Sequence, residues 1–282
     1  LNKKCSIRFN YTSREGRNLL YIVSNMLFLP NQKTIKIVSD SLIIIPTYNE
    51  KENVEKMIHT VFSLAKNFHI LIIDDNSPDG TAGIVKNLQL KFTNQLFIVE
   101  RSGKLGLGTA YLTGFEWAIT KGYQYIFEMD CDFSHDPNDL ERLYNACAAD
   151  GADLAIGSRY ISGINVINWP LKRVLMSYFA SVYVRKVTGM KIMDTTAGFK
   201  CYRNIVLQTI DLKNIKMKGY GFQIEMKFKT WKLGFKIKEV PIVFTDRKEG
   251  VSKMSSGIFG EAFYGVMKMK LKSYFQDYHR KE

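Results

Sequence analysis

Cysteine is scarce in this chain. The four present (Cys5, Cys131, Cys147 and Cys201) lie far apart and form no Cys-X-X-Cys pair, which argues against a zinc site and a disulfide framework and fits a reducing compartment. Long apolar runs are missing too. The longest near the N-terminus, Leu19 to Leu29, is about half of what a membrane span needs and is broken by Ser24 and Asn25. No small-residue cleavage site follows Arg17 to Pro30, so a signal peptide is not supported there. Zinc-finger spacing, a helix-turn-helix signature and an aromatic RNA-binding motif are all absent, which removes the usual marks of nucleic-acid binding. Acidic residues are the scarce charge: 27 Asp and Glu face 40 Lys and Arg, giving a formal +13. Such an excess calls for a partner of opposite sign, and with nucleic acid set aside, anionic lipid and phosphorylated substrates remain.

What is present is a chain of 282 residues, 46% hydrophobic, enough to bury the core of one large domain with extensions. Residues 1–40 carry scattered charge without a sustained period and read as an extension. Beyond them the pattern alternates. Apolar strands at 42–45, 70–73, 96–99 and 125–129 are separated by helical stretches at about 51–66, 80–92 and 106–121. Continuous apolar strands between helices predict an α/β fold with a mostly parallel central sheet covered by helices on both faces.

Ligands of such sheets bind beyond the carboxyl ends of the strands, and three polar clusters fall there. They are Pro46-Thr47-Tyr48-Asn49-Glu50, Asp74-Asp75-Asn76-Ser77 and Asp130-Cys131-Asp132. The third carries the most chemistry, because residues i and i+2 of an extended segment share a face, so Asp130 and Asp132 aim at one point. Two carboxylates plus substrate phosphate oxygens suit Mg²⁺ or Mn²⁺. Cys131 between them is flanked by negative charge, which disfavours a thiolate, and its merit is small size. His135 is expected to order the loop rather than act as a base. Asp136-Pro137 reads as a helix N-cap followed by the first helical position. The run Gly103-Lys104-Leu105-Gly106-Leu107-Gly108 fails the dinucleotide-binding test, since Tyr111 stands where the third glycine belongs, although Lys104 in it is placed to meet a phosphate.

The ordered set of motifs resembles the polyprenyl-phosphate (dolichyl-phosphate) mannosyltransferases of glycosyltransferase family 2. To the three clusters it adds Gly103 to Tyr111, Met129 to His135, Gly157-Ser158-Arg159-Tyr160 and Asn168-Trp169-Pro170-Leu171-Lys172-Arg173. Asp194-Thr195-Thr196-Ala197-Gly198-Phe199, Gly221 to Met226 and Asp246-Arg247 to Lys253 continue it, so that it covers about residues 41–270. The resemblance implies a GT-A fold, GDP-mannose as donor, a divalent cation, and transfer of the sugar with inversion to a polyprenyl monophosphate. UDP-glucose or another nucleotide sugar is the alternative donor, and a non-catalytic membrane-associated binding protein is the alternative from another class. Carried over by position, Pro46, Tyr48, Glu50 and Asp74 would hold the nucleoside, and Asp130 and Asp132 the metal and diphosphate. Some relatives have Gln where Ser134 stands, a position that completes the metal shell there, so the third protein ligand is left open. Arg159, Arg173, Arg247 and Lys253 would hold the acceptor phosphate, with Asp132, Arg159 and Arg173 the residues on which transfer depends.

The chemistry asks for the same two kinds of group. A leaving diphosphate gains charge and needs electrostatic stabilisation, whereas a phosphate monoester with a second pKa near 6 is already anionic and needs positive charge more than a base. Arginine, with a planar fork matched to phosphate oxygens, suits that role. From Gly257 to Phe275, the residues Phe259, Ala262, Phe263, Val266, Met267 and Leu271 recur at helical spacing, with Lys268 and Lys272 on another face. Docking on the domain and contact with an anionic membrane surface are both open to this helix. The expected organisation is therefore an extension at 1–40, a GT-A catalytic domain at 41–250 and a basic amphipathic helix and tail at 251–282. The expected location is cytoplasmic, peripheral on a membrane. The chain ends before any C-terminal span and so resembles the soluble members or those held by a membrane-anchoring subunit.

Overall fold

The computed structural model describes residues 39–217, 219–246, 258–276 and 278, with only the backbone given for 258–262. The extension expected at 1–40 and the segment holding Arg247 and Lys253 thus fall wholly or almost wholly outside the described residues. The alternation expected from the sequence is present. Strand β1 (Ser41–Thr47) leads to helix α1 (Val54–Phe62), β2 (His69–Asp74) to α2 (Thr81–Lys91), and β3 (Leu96–Glu100) to α3 (Leu107–Lys121). Strand β4 (Tyr125–Glu128) is followed by α4 (Asp139–Ala148), β5 (Leu154–Ser158), β6 (Val166–Ile167) and α5 (Leu171–Thr188). Then come β7 (Lys200–Arg203), α6 (Asn204–Thr209), a 3₁₀ turn at Leu212–Asn214, α7 (Gly219–Lys232), β8 (Ile237–Pro241), β9 (Phe244–Thr245) and α8 (Ile258–Lys272).

Seven strands form one sheet in the order β3-β2-β1-β4-β7-β5-β8, and β6 pairs with β9 in a small second sheet. Every pairing in the large sheet is parallel except those of β7, which runs antiparallel to both β4 and β5. The strand periodicity of two divides the core. Leu42 and Ile44 of β1 pack with Tyr111 and Phe115 of α3 and Phe222 of α7, whereas Ile43 and Ile45 pack with Val54, Met57 and Val61 of α1 and Leu140 of α4. Both faces of β1 are therefore covered, which is why its sequence reads as unbroken aliphatic residues. Helix α3 approaches β1 closely because Gly114 has no side chain: a Cβ there would lie 2.6 Å from Cγ2 of Ile44.

One local expectation changes. Asp136 does not cap α4; the helix starts at Asp139, and the Asp136 carboxylate accepts from the backbone N–H and side-chain amide of Asn138 at 2.9 and 2.8 Å, tying a turn instead. The C-terminal helix docks on the domain with part of its apolar surface. Val266 is fully buried in the core and Met269 packs against it, while Phe263, Tyr264, Met267 and Leu271 remain exposed. Among the described residues no helix is long and apolar enough to cross a membrane.

Candidate active site

The ends of β1, β2 and β4 lie side by side, since Thr47 is in register with Asp74 and the N–H of Met129 donates to Ile44 O at 3.2 Å. At each of these ends one non-glycine residue has a left-handed backbone: Asn49 (φ 57°), Asn76 (φ 57°) and Phe133 (φ 58°). Asn adopts this region readily, but for a bulky residue such as Phe133 it is costly and is held only by surrounding structure. What holds it is a set of hydrogen bonds around the two aspartates. Ser134 donates to the Asp132 carboxylate through its backbone N–H at 3.1 Å and through its hydroxyl. The Asp130 N–H donates to Nδ1 of His135 at 3.3 Å, and the Tyr111 hydroxyl reaches Asp130 at 3.5 Å.

Although β4 stops at Glu128, the segment beyond it keeps the alternation of a strand: Cys131 is buried in the core, and Asp130 and Asp132 on either side are partly exposed. His135 is buried and stacks on Phe199 at 4.9 Å; burial lowers its pKa to about 4, so the ring is neutral and able to accept from Asp130. Burial, followed by the charge of Asp130, pushes the Tyr111 phenol well up, so it stays protonated beside that carboxylate. Among the described residues no group of three or more His, Cys, Asp and Glu side chains is placed to hold a metal ion. Two partly exposed carboxylates flanking one buried residue fit a Mg²⁺ or Mn²⁺ ion that takes its other ligands from substrate phosphate and water.

The remaining strand-end residues are placed around this centre. Asp74 is fully buried and accepts from Thr47 Oγ1 (2.8 Å), Ser77 Oγ (2.6 Å) and Ser77 N–H (2.9 Å), so it ties the first two strand ends together. Glu50 accepts from Asn53 at 3.1 Å, and its N–H donates to Thr81 at 3.0 Å. Lys104, in the glycine-rich run after β3, lies 4.8 Å over the ring of Tyr48. Arg101, assigned no role above, pairs with Asp75 at 2.6 Å and donates to Thr109 Oγ1 at 2.8 Å and Gly106 O at 3.3 Å, fixing the start of α3. Its position directly after β3 was the available signal.

The arginines gather elsewhere. Arg159 follows β5 and is buried against Asp194, which accepts from its Nε and Nη2 at 2.7 Å each and from its N–H at 3.0 Å; Thr196 takes a further bond at 2.8 Å. Burial raises the Asp194 carboxyl, but Arg159 more than offsets it, and the pKa falls below the ordinary value. Arg173, in the first turn of α5, pairs with Asp246 at 2.8 Å and lies over Trp169. Both arginines border a groove of about 610 Å³ whose walls are mostly apolar, among them Met176, Phe179, Tyr183, Ile224 and Phe263. A second, more polar cleft of about 860 Å³ is bordered by Asp132 and by Asp246. The Arg173–Asp246 pair thus joins the groove to the cleft that holds the aspartate.

Beneath Asp130 lies a polar cluster that sequence reading missed. Glu128 pairs with Lys200 at 2.9 Å, Lys200 donates to Gln223 and to Tyr202, and Gln223 donates back to Glu128 at 2.8 Å, all within the core. A glutamate inside the apolar strand Tyr125-Ile126-Phe127-Glu128 was the clue.

Residues 42–211 match the model of glycosyl transferase family 2. The chain belongs to that family. It is 46% identical over 233 residues to polyprenol monophosphomannose synthase of Mycolicibacterium smegmatis, a match covering 83% of this chain and 88% of that one. It is 43% identical over 230 residues to undecaprenyl-phosphate mannosyltransferase of Micrococcus luteus, covering 82% and 93%. Glucosyl-3-phosphoglycerate synthase of Mycobacterium tuberculosis shares the fold with a TM-score of 0.58 at 15% identity, covering 82% of this chain and 79% of that one. A mannosyltransferase of Pyrobaculum calidifontis, solved with GDP-Man and Mn²⁺, gives 0.52 at 14% identity over 92% and 82%. The fold is therefore the GT-A fold expected of this glycosyl transferase family 2 member.

Proposed function

We propose that this glycosyl transferase family 2 member transfers mannose from GDP-mannose to a polyprenyl monophosphate, with inversion, at the cytoplasmic surface of a membrane. The observation that carries the reading is the apolar groove with Arg159 and Arg173 at its border, which suits a molecule that is one phosphate on a long hydrocarbon. The names of the relatives at 46% and 43% identity support the same substrate class.

In this reading Pro46, Tyr48, Glu50 and Asp74 frame the nucleoside, and Asp130 and Asp132 hold Mg²⁺ or Mn²⁺. The ion, when bound, stabilises the negative charge of the departing diphosphate. Arg159 and Arg173 orient the acceptor phosphate, assisted by Arg247 and Lys253 from outside the described residues. A phosphate oxygen bonds to the anomeric carbon as the bond to the diphosphate breaks, and direct displacement inverts that carbon. No strong base is required, because the monoester is largely dianionic near neutral pH. His135, neutral and turned to the Asp130 N–H, holds the aspartate loop in place.

Membrane contact is supported by the exposed apolar side chains of α5 (Leu171, Leu175, Phe179) and α8 (Phe263, Tyr264, Met267, Leu271), which border the groove or continue from it. Lys172, Lys268 and Lys272 lie exposed among them, a composition suited to an anionic surface. A membrane-anchoring subunit is a further partner this face can accept.

The test is direct. The full chain, supplied with GDP-mannose, Mn²⁺ and a polyprenyl phosphate in detergent, is expected to yield mannosyl-phosphoryl-polyprenol, and chelation is expected to stop the reaction. Turnover of UDP-glucose in place of GDP-mannose would replace the donor assignment; binding of both substrates without turnover would favour a non-catalytic role.

A further inference from the structure

Both acceptor-side arginines face one indole ring. The guanidinium carbon of Arg173 lies 4.0 Å from the ring centroid of Trp169, and that of Arg159 lies 5.5 Å from it. The two cations differ in how else they are held. Arg159 is buried and locked by a two-pronged pair with Asp194, whereas Arg173 is about a third exposed and, among the described residues, has one ion pair, with Asp246. The Trp169 ring is itself supported: Asn168 before it has a left-handed backbone (φ 64°), and the Phe244 ring packs against it in a T-shaped arrangement, centroids 5.2 Å apart. Its indole N–H is buried and has no hydrogen-bond partner among the described residues. What the ring offers its neighbours is therefore its π face.

A π face attracts cations, and two guanidiniums drawn to the same ring acquire a fixed separation despite their mutual repulsion. That separation decides whether one phosphate can accept from both. On the acceptor assignment made above, we propose that Trp169 is a positioning residue that sets the spacing of Arg159 and Arg173 for a single phosphate group. The rigid arginine is the reference point, and Trp169 brings the less constrained one to it. Trp169 also borders the apolar groove, so the ring stands where the phosphate end of the acceptor meets its hydrocarbon.

The experiment compares Trp169→Leu, which removes the π face, with Trp169→Phe, which keeps one, in the full chain with GDP-mannose, Mn²⁺ and polyprenyl phosphate. Trp169→Leu is expected to raise the acceptor KM roughly tenfold or more while the donor KM stays within about twofold, and Trp169→Phe to stay within about threefold on both. A second measurement needs no destabilising change. Polyprenyl phosphate titrated into the intact protein should alter tryptophan emission, because an anion arriving at the two guanidiniums changes the field at the ring. The change should vanish in Trp169→Phe and persist in Trp231→Phe. Equal impairment by Leu and Phe, equal movement of donor and acceptor KM, or an emission that ignores the acceptor would each overturn the positioning role. If the unaltered enzyme does not use polyprenyl phosphate at all, the acceptor assignment falls first, and this inference with it.

Discussion

Replacing Asp194 with Asn tests whether the buried Arg159 depends on its carboxylate. Asp194 is fully buried and Arg159 is 6% exposed, so no solvent is at hand to compensate either charge. Three N–H groups of Arg159 converge on the two carboxylate oxygens. Asparagine keeps the shape but turns one acceptor into a donor, so an amide N–H would face a guanidinium N–H and the positive charge would lose its counter-ion. Breaking a buried pair from one side costs about 3 to 5 kcal/mol, which for a domain of this size corresponds to a fall in Tm of roughly 6 to 20 °C. Urea unfolding followed by far-UV circular dichroism measures it. The companion variant Arg159→Met with Asp194→Leu removes both charges at similar volume and should recover most of the lost stability. It should not recover transfer, because the arginine is gone. A cost below about 1 kcal/mol for Asp194→Asn would show that the pair is not the buried, solvent-free contact described. Wild-type transfer by the double variant would remove Arg159 from the acceptor site.

Three further outcomes are expected. Arg173→Ala should lower acceptor efficiency by about tenfold to a hundredfold or somewhat more, the worth of one charge-assisted contact of about 1.5 to 3 kcal/mol, with Lys a partial rescue; equal losses in donor binding would move Arg173 to the nucleotide diphosphate. Gly114→Ala should cost about 1 to 3 kcal/mol, because the new Cβ meets a fully buried Ile44, and an unchanged urea midpoint would contradict the close approach of α3 to β1. His135 has its pKa lowered from 6.5 to about 4, so the unfolded chain binds more protons between these values. Its contribution of about 3 kcal/mol should be fully present above pH 6.5 and be lost as pH falls toward 4. His135→Gln should flatten that part of the stability profile, and an unchanged profile would show that the ring titrates normally.

The strands and helices were legible because strands buried on both faces leave an unmistakable aliphatic record, as in Leu42 to Ile45 and Ile70 to Ile73. The strand-end clusters were legible for a different reason: a parallel sheet delivers all its carboxyl ends to one edge, so polar residues following aliphatic runs become neighbours without any pairing information. Contacts that cross the sequence left no such record. Arg159 and Asp194 are 35 positions apart, and neither carries a local pattern announcing the other. The ring of Glu128, Lys200 and Gln223 depends on β7 entering antiparallel between β4 and β5, a topological fact that no window of sequence contains. Asp136 misled because a turn tied by Asn138 and a helix cap ask for the same side chain. In the C-terminal helix, period alone does not say which apolar residues meet the domain; Val266 does and Leu271 does not.

The closed ring under Asp130 also bears on how this site can change over generations. Glu128, Lys200 and Gln223 pair with one another in a place that water does not reach. Loss of Glu128 or Lys200 leaves the other charge stranded, so a lineage that drifts at either position passes through a protein with a damaged floor beneath its aspartates. Substitution at these two charged sites should therefore be concerted. Relatives that lack the glutamate should lack the lysine as well, and the floor should descend as a single heritable unit while the loops above it diversify.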